Sequence, residues 1–184
     1  MTRAAGRGRV TMGIYNSYDP AKFREPHRRA LARAGDLAYA FGMNLALFGF
    51  PIPEDADTPA KTAEWVAGTT SIGGHGDYFM RLAEEGRFMK FPYPSKGFPP
   101  QLGEPVLTTS RPSPQKSIDA DGVAEMVLSG RSVLLVFGLG PKGVPKDAAR
   151  ISSYDLDVTG GGYSLETCTA MGAVAGALSH ALSQ

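Results

Sequence analysis

Ser132-Val133-Leu134-Leu135-Val136-Phe137-Gly138-Leu139-Gly140-Pro141-Lys142-Gly143-Val144-Pro145 is the stretch that decides the fold of this chain. Its first six residues form a strongly apolar run, as a strand buried on both faces of a parallel sheet requires. A glycine-rich loop follows at the carboxyl end, the edge where open α/β sheets bind ligands. Glycine serves there because backbone can take φ > 0 or approach a ligand closely. The segment Gly138–Gly143 also spells G-x-G-x-x-G. A dinucleotide site fails on spacing, since Pro145 follows almost at once. About ten residues lie before the next strand, too few for the crossover helix of a βαβ unit of roughly 30 residues. A Walker phosphate loop fails as well, because Val144 and Pro145 stand where Lys and Ser/Thr are required.

Working downstream, a short helical turn is expected near Asp147 to Ile151 and a strand over Tyr154 to Val158. Gly160-Gly161-Gly162 then leads into a final helix from Ser164, a good N-cap, to about Leu182. Ala170, Gly172, Ala173, Ala175, Gly176 and Ala177 leave that helix little bulk. Upstream, Val106-Leu107-Thr108-Thr109 predicts a strand and Asp121 to Leu128 a short helix. The chain opens with a strand over Gly13-Ile14-Tyr15-Asn16 and turn chemistry at Asp19-Pro20. A helix follows with Pro26 in its first turn and apolar residues at Leu31, Ala34, Leu37, Ala38 and Phe41; Gly42 ends it. Leu45 to Phe50, closed by Pro51, reads as a second buried strand. Helices are expected over Pro59 to Ala67 and Asp77 to Glu85, and residues 91 to 104, rich in proline and glycine, read as loop. Alternating strands and helices predict a mostly parallel sheet with helices on both faces.

With 184 residues, 20% charged and 42% hydrophobic, the chain suits one globular domain. The expected organisation is a flexible basic arm over residues 1–10 and a single domain over residues 11–184. No apolar run approaches the roughly 20 residues of a membrane span. The N-terminus has no apolar segment behind Arg3, Arg7 and Arg9, so it is not a secretory signal. The single cysteine, Cys168, removes an internal disulfide and a cysteine-rich metal site. A cytoplasmic location without a metal is the expectation. Residues 1 to 33 hold eight Lys or Arg against Asp19 and Glu25, which leaves about +6 there and about −5 in the remainder. Such a basic end suits a phosphate-rich partner, and solvated surface arginines would give the same count.

The C-terminal third resembles the SPOUT superfamily, the RNA methyltransferases related to SpoU and TrmD. In the SpoU branch a strand leads into G-S-E-G-x-G-L, and Gly138 to Val144 lies in register with that loop. The next family strand ends I-P-M-x-G and, three residues later, S-L-N opens the last helix. Leu156-Asp157-Val158-Thr159-Gly160 and Ser164-Leu165-Glu166 keep that spacing. Val106 to Thr109 matches the strand that supplies the first cofactor contacts. Asn16, Arg33, Gly42 and Leu45 to Phe50 follow the order of the family's N-terminal half. Three departures suit a separate, uncharacterised archaeal branch. Arg33 lies nine positions before Gly42, Glu166 replaces the family Asn, and Gly140 replaces its Glu.

The resemblance implies a deep C-terminal trefoil knot, a homodimer, and S-adenosylmethionine bound between the loops. The cofactor residues it implies are Thr108, Thr109, Gly138, Leu139, Gly140, Gly143, Leu156, Val158, Gly160, Ser164 and Leu165. On the acceptor side it points to Arg33, with Asn16 and Glu166 as further catalytic candidates. Turn formation would equally explain Asn16, and helix capping Glu166. His27 reads as a surface residue, His75 as lacking a metal partner, and Tyr163 as a stacking or packing tyrosine. The expected activity is methylation of tRNA or rRNA. A non-catalytic knotted RNA-binding or assembly protein is the alternative, and methylation of a protein or small molecule a third possibility.

Overall fold

The computed structural model describes residues 6–69 and 72–184. Six parallel strands form one sheet in the order β3-β2-β1-β5-β4-β6. The central strands β1 (Val10–Asn16) and β5 (Val133–Leu139) pair along their whole length, from Val10 against Val133 to Asn16 against Leu139. All seven residues of β1 are buried, which explains why its sequence lacks a polar face. On one side lie β2 (Asn44–Phe48) and the edge strand β3 (Phe88–Phe91); on the other lie β4 (Glu104–Thr108) and β6 (Tyr154–Leu156).

The helices are shared unequally between the two faces. Helices α1 (Glu25–Ala40), α2 (Pro59–Ala67), α3 (Gly76–Glu84), α4 (Ala120–Leu128) and α6 (Thr167–Ala181) bury Leu31, Val66, Phe79, Val127 and Leu178 against Met12, Ile14, Leu135 and Phe137. The opposite face carries Phe48, Leu134 and Val136, and among the described residues the one α-helix that covers it is the short α5 (Lys146–Arg150), through Ala148. The rest of that cover comes from the proline-rich segment after β3. It runs from the β3 edge to β4, past the intervening strands, and seats Phe98 5.3 Å from Phe48 and Tyr93 5.2 Å from Tyr15. Its prolines suit a path that crosses a sheet face, where unpaired N–H groups would be costly.

Several expected boundaries move. Strand β3 lies partly inside the span read as loop, and a one-turn 3-10 helix covers Pro100–Leu102. Lys90 hides β3 from the sequence, yet a lysine and a short length are what an edge strand carries. The Lys90 ammonium donates to the carbonyl of Ala56. Of the expected arm, residues 1–5, with Arg3, lie outside the described residues. Val10 already belongs to β1, and the Gly8 N–H donates to Val127 at 2.8 Å, so these residues join the fold before the boundary expected at residue 11. Among the described residues no helix is long and apolar enough to cross a membrane, and no cluster of three metal-ligating side chains occurs.

Candidate functional site

The carboxyl ends of β4, β5 and β6 open into a cavity of about 400 Å³, within the usual range for a small-molecule site. Three loops wall it, those following β4, β5 and β6. Two glycines of the β5 loop are required by their surroundings. A Cβ at Gly138 would lie 2.6 Å from the Gly143 carbonyl carbon and the Val144 nitrogen, because the loop folds back across the strand end. Gly140 has φ +143°, and its Cβ position lies 2.7 Å from the Ser17 carbonyl oxygen. The Ser17 N–H donates to Leu139 at 2.9 Å, and the Thr167 hydroxyl donates to the Gly138 carbonyl at 2.9 Å. The first turn of α6 is thereby tied to the end of β5.

Of the eleven residues expected to hold the cofactor, nine line this cavity: Thr108, Thr109, Gly138, Gly140, Gly143, Leu156, Val158, Ser164 and Leu165. Gly160 lies in the turn after β6 and does not line the cavity, and Leu139 lines a second, more open groove of about 550 Å³. Pro26, Arg29, Ala30 and Arg33 of α1 line that groove together with Glu166, Cys168 and Thr169. The two hollows share a wall, because residues 138–140 and 165–168 alternate between the two linings: Gly138, Gly140, Leu165 and Thr167 line the cavity, while Leu139, Glu166 and Cys168 line the groove. Arg111 and Lys142, to which the sequence reading assigns no role, stand at the first cavity. Their signal is modest, a basic residue just beyond each of two strand ends.

Arg33 and Glu166 are therefore brought together, and Asn16 is not. Glu166, rather than the expected Ser164, caps α6; its carboxylate accepts from Cys168 N at 2.9 Å and Thr169 N at 3.1 Å. Partial burial pushes its pKa up, but these N–H donors and the Arg33 charge outweigh that and hold it below the usual carboxylate range. A carboxylate so held is a weak base near neutral pH. The Arg33 guanidinium lies 3.9 Å from the Cys168 sulfur. Burial, followed by the Glu166 charge, raises the Cys168 pKa and keeps it a thiol.

Asn16 is buried with its amide fully engaged. Its nitrogen donates to the carbonyls of Asp19 (3.0 Å) and Gly49 (2.9 Å), and its oxygen accepts from Tyr18 N (3.1 Å). The fourth partner is His27, which is fully buried rather than on the surface. Its Nδ1 accepts from Arg24 N at 2.9 Å, so the neutral ring carries its proton on Nε2, 3.0 Å from the Asn16 oxygen. Phe23 stacks on the ring at 5.3 Å, while Tyr18 and Phe50 meet it edge-on. In sequence the position after Pro26 looks exposed; the loops that enclose it come from other elements. Exposed His75 lies 2.6 Å from half-buried Asp36, away from both hollows.

Burial lowers the His27 pKa, against the opposing pull of Asp19 and with a smaller push from Arg28. The unfolded chain takes up this proton near pH 6.5, while the folded chain takes it up lower. Stability is thus full above that pH and falls as pH drops through the window, by at most about 1.4 kcal/mol per unit for one proton. Urea denaturation from about pH 7.5 to 5.5 should show this slope, and His27→Gln should flatten it.

Solved structures of like fold include methyltransferases. A probable methyltransferase from Bordetella pertussis Tohama I has a TM-score of 0.65 at 15% identity, covering 99% of both chains. A structure bearing on the 2-OH methylation of C/U34 on tRNA has a TM-score of 0.57 at 16% identity, over 97% of this chain and 94% of that one. The SpoU methyltransferase AviRb from Streptomyces viridochromogenes, in complex with the cofactor AdoMet, has a TM-score of 0.54 at 13% identity; the match covers 97% of this chain and 60% of that one. At these identities the likeness shows the fold alone, an α/β domain on a six-stranded parallel sheet. The chain itself belongs to the family described as Protein of unknown function (DUF531), matched over residues 10–179. An uncharacterised protein of Methanocaldococcus jannaschii is 39% identical over 166 residues, 90% of each chain.

Proposed function

We propose that this protein is an S-adenosylmethionine-dependent RNA methyltransferase acting on tRNA or rRNA, from an archaeal branch of the SPOUT superfamily. The observation that carries the reading is the shared wall: a cavity lined by nine of the eleven expected cofactor residues backs onto a groove holding Arg29 and Arg33. Its volume and the close glycine backbone at Gly138 and Gly140 fit an adenosyl ligand held largely by main-chain groups. The tRNA-related and AdoMet-bound structures of like fold support the substrate class and the cofactor. The Methanocaldococcus relative supports the archaeal branch. An RNA substrate would place the work in the cytoplasm.

When bound, the cofactor supplies an electrophilic methyl group on a sulfonium. The loops after β4, β5 and β6 would hold its adenosyl and methionine parts, with Thr108, Thr109, Ser164 and Leu165 beside the glycines. Transfer then depends on alignment, with the reacting atoms about 3 to 3.5 Å apart. Arg33 would grip a phosphate or lower the pKa of an acceptor hydroxyl. Glu166, engaged as a helix cap, would chiefly orient Arg33 and the first turn of α6. Asn16 would act on the site only through the loop it ties down.

A trefoil knot accompanies this reading, with α6 threaded through the loops after the preceding strands; α6 begins beside the β5 loop, where Thr167 donates to Gly138. An experimental structure traced with an unthreaded α6 would refute the knot. A homodimer is proposed with it, and light scattering that returns a monomer at micromolar concentration would refute that part. Calorimetric titration with S-adenosylmethionine and S-adenosylhomocysteine tests the whole reading. Micromolar binding is expected; no binding of either ligand up to millimolar concentration would leave the non-catalytic RNA-binding alternative in its place.

A further inference from the structure

Tyr163 is the most exposed large apolar or aromatic side chain of the described residues, at 73%, and it stands at the mouth of the 400 Å³ cavity. Nothing in the folding of the chain calls for a tyrosine there, since exposure of that degree buries little apolar surface. Its backbone is nevertheless tightly held. The Asp157 carboxylate accepts from Thr159 N (3.0 Å) and the Thr159 hydroxyl (2.7 Å) with one oxygen, and from Gly162 N (2.7 Å) with the other. The Thr159 hydroxyl oxygen accepts in turn from Gly161 N (3.3 Å) and Tyr163 N (3.2 Å). The ring lies close over Gly161: a Cβ there would meet its edge at 3.0 and 3.1 Å. One side of the ring is thus backed by glycine and the rest faces solvent.

The charged groups of this cavity are net positive, Arg111 and Lys142 against Asp157. Arg111 and Lys142 line the same cavity, and neither has a carboxylate within 4.0 Å among the described residues. Asp157, the carboxylate of the same wall, is turned onto backbone donors. Other exposed tyrosines are already engaged: Tyr93 donates its hydroxyl to the Asn16 carbonyl at 2.8 Å, and Tyr18 meets His27 edge-on. A pre-set aromatic face beside two unpaired cations matches one ligand chemistry, a base attached to a phosphate backbone. The rigid turn lowers the ordering cost of using it.

We propose that Tyr163 is a stacking platform for an unpaired base of an RNA strand, with Arg111 and Lys142 on the phosphates beside it. This rests on the methyltransferase reading for its place in the reaction: the platform would set the target nucleotide at the cavity mouth. It names the substrate as single-stranded or unpaired RNA, because a base inside a duplex offers no free face. A contact with the cofactor's adenine is the competing use of the same ring.

The test uses fluorescence anisotropy of the full chain with a 5′-fluorescein single-stranded RNA dodecamer of mixed sequence, beside calorimetry with S-adenosylhomocysteine. Tyr163→Ala should weaken strand binding by about 5- to 160-fold, the range for loss of one stacked base, while Tyr163→Trp restores it. Arg111→Gln and Lys142→Gln should each flatten the salt dependence by about 0.7 in log–log slope. The duplex of the same sequence should bind more weakly than the strand. The proposal is overturned if the wild type does not bind the strand, if Tyr163→Ala binds it as the wild type does, or if the loss appears in S-adenosylhomocysteine affinity instead. A wild type that binds the strand through Tyr163 but binds neither adenosyl ligand would sink the methyltransferase reading and leave the platform standing.

Discussion

Replacing Gly138 by valine is expected to abolish binding of S-adenosylhomocysteine, a loss of at least about 100-fold, or roughly 2.7 kcal/mol. The cause is local and steric. A Cβ at this position would overlap backbone, the Gly143 carbonyl carbon and the Val144 nitrogen at 2.6 Å, so no rotamer change relieves it. The loop must swing off the end of β5, and with it move Gly140, Pro141, Lys142 and Gly143 of the cavity wall. Gly140→Ala should act in the same direction, since φ +143° is strained for a side chain and Ser17 blocks the Cβ. Both variants should be melted alongside the wild type. A folded Gly138→Val protein that binds the ligand with wild-type affinity would place the adenosyl site elsewhere.

The second large effect is on stability. Asn16→Ala should lower the free energy of unfolding by about 3 kcal/mol, because it strands several buried groups at once. The Nε2–H of His27 loses its acceptor in an aromatic enclosure, and the Gly49 and Asp19 carbonyls lose their donor. Urea denaturation at pH 7.5 measures this directly. The fraction that remains folded should bind S-adenosylhomocysteine as before, since Asn16 does not line the cavity. Unchanged stability with lost methyl transfer would instead assign Asn16 to catalysis. Asn16→Asp adds a second reading of the same pair: a carboxylate facing His27 would raise the ring's pKa from its lowered position.

Elements whose signals are local were legible. Helix α2 starts at Pro59 and ends at Ala67 as its punctuation predicts. The run Ser132 to Phe137 lies in β5 almost entirely, and the crossover too short for a dinucleotide site is the five-residue α5. Each depends on turn residues and apolar runs within a few positions of one another. Signals that join distant residues were not legible. His27 looks exposed until Asn16, Phe23 and Phe50 close around it. Strand β3 is a strand only because β2 offers it an edge. Ser164 and Glu166 are both plausible caps in sequence, and the path of the chain into α6 decides for Glu166.

The same division holds for the site. Its glycines and the strand ends that carry them follow from the sequence alone, because close backbone approach demands a residue without a side chain wherever the ligand sits. The placing of Arg33 and Glu166 in one groove, of Arg111 and Lys142 in one cavity, and the outward face of Tyr163 were decided by tertiary structure. These residues come from loops and helices far apart in the chain. Only the packing of α1 and α6 against β5, and the convergence of three strand ends, brings their charges and ring within reach of one ligand.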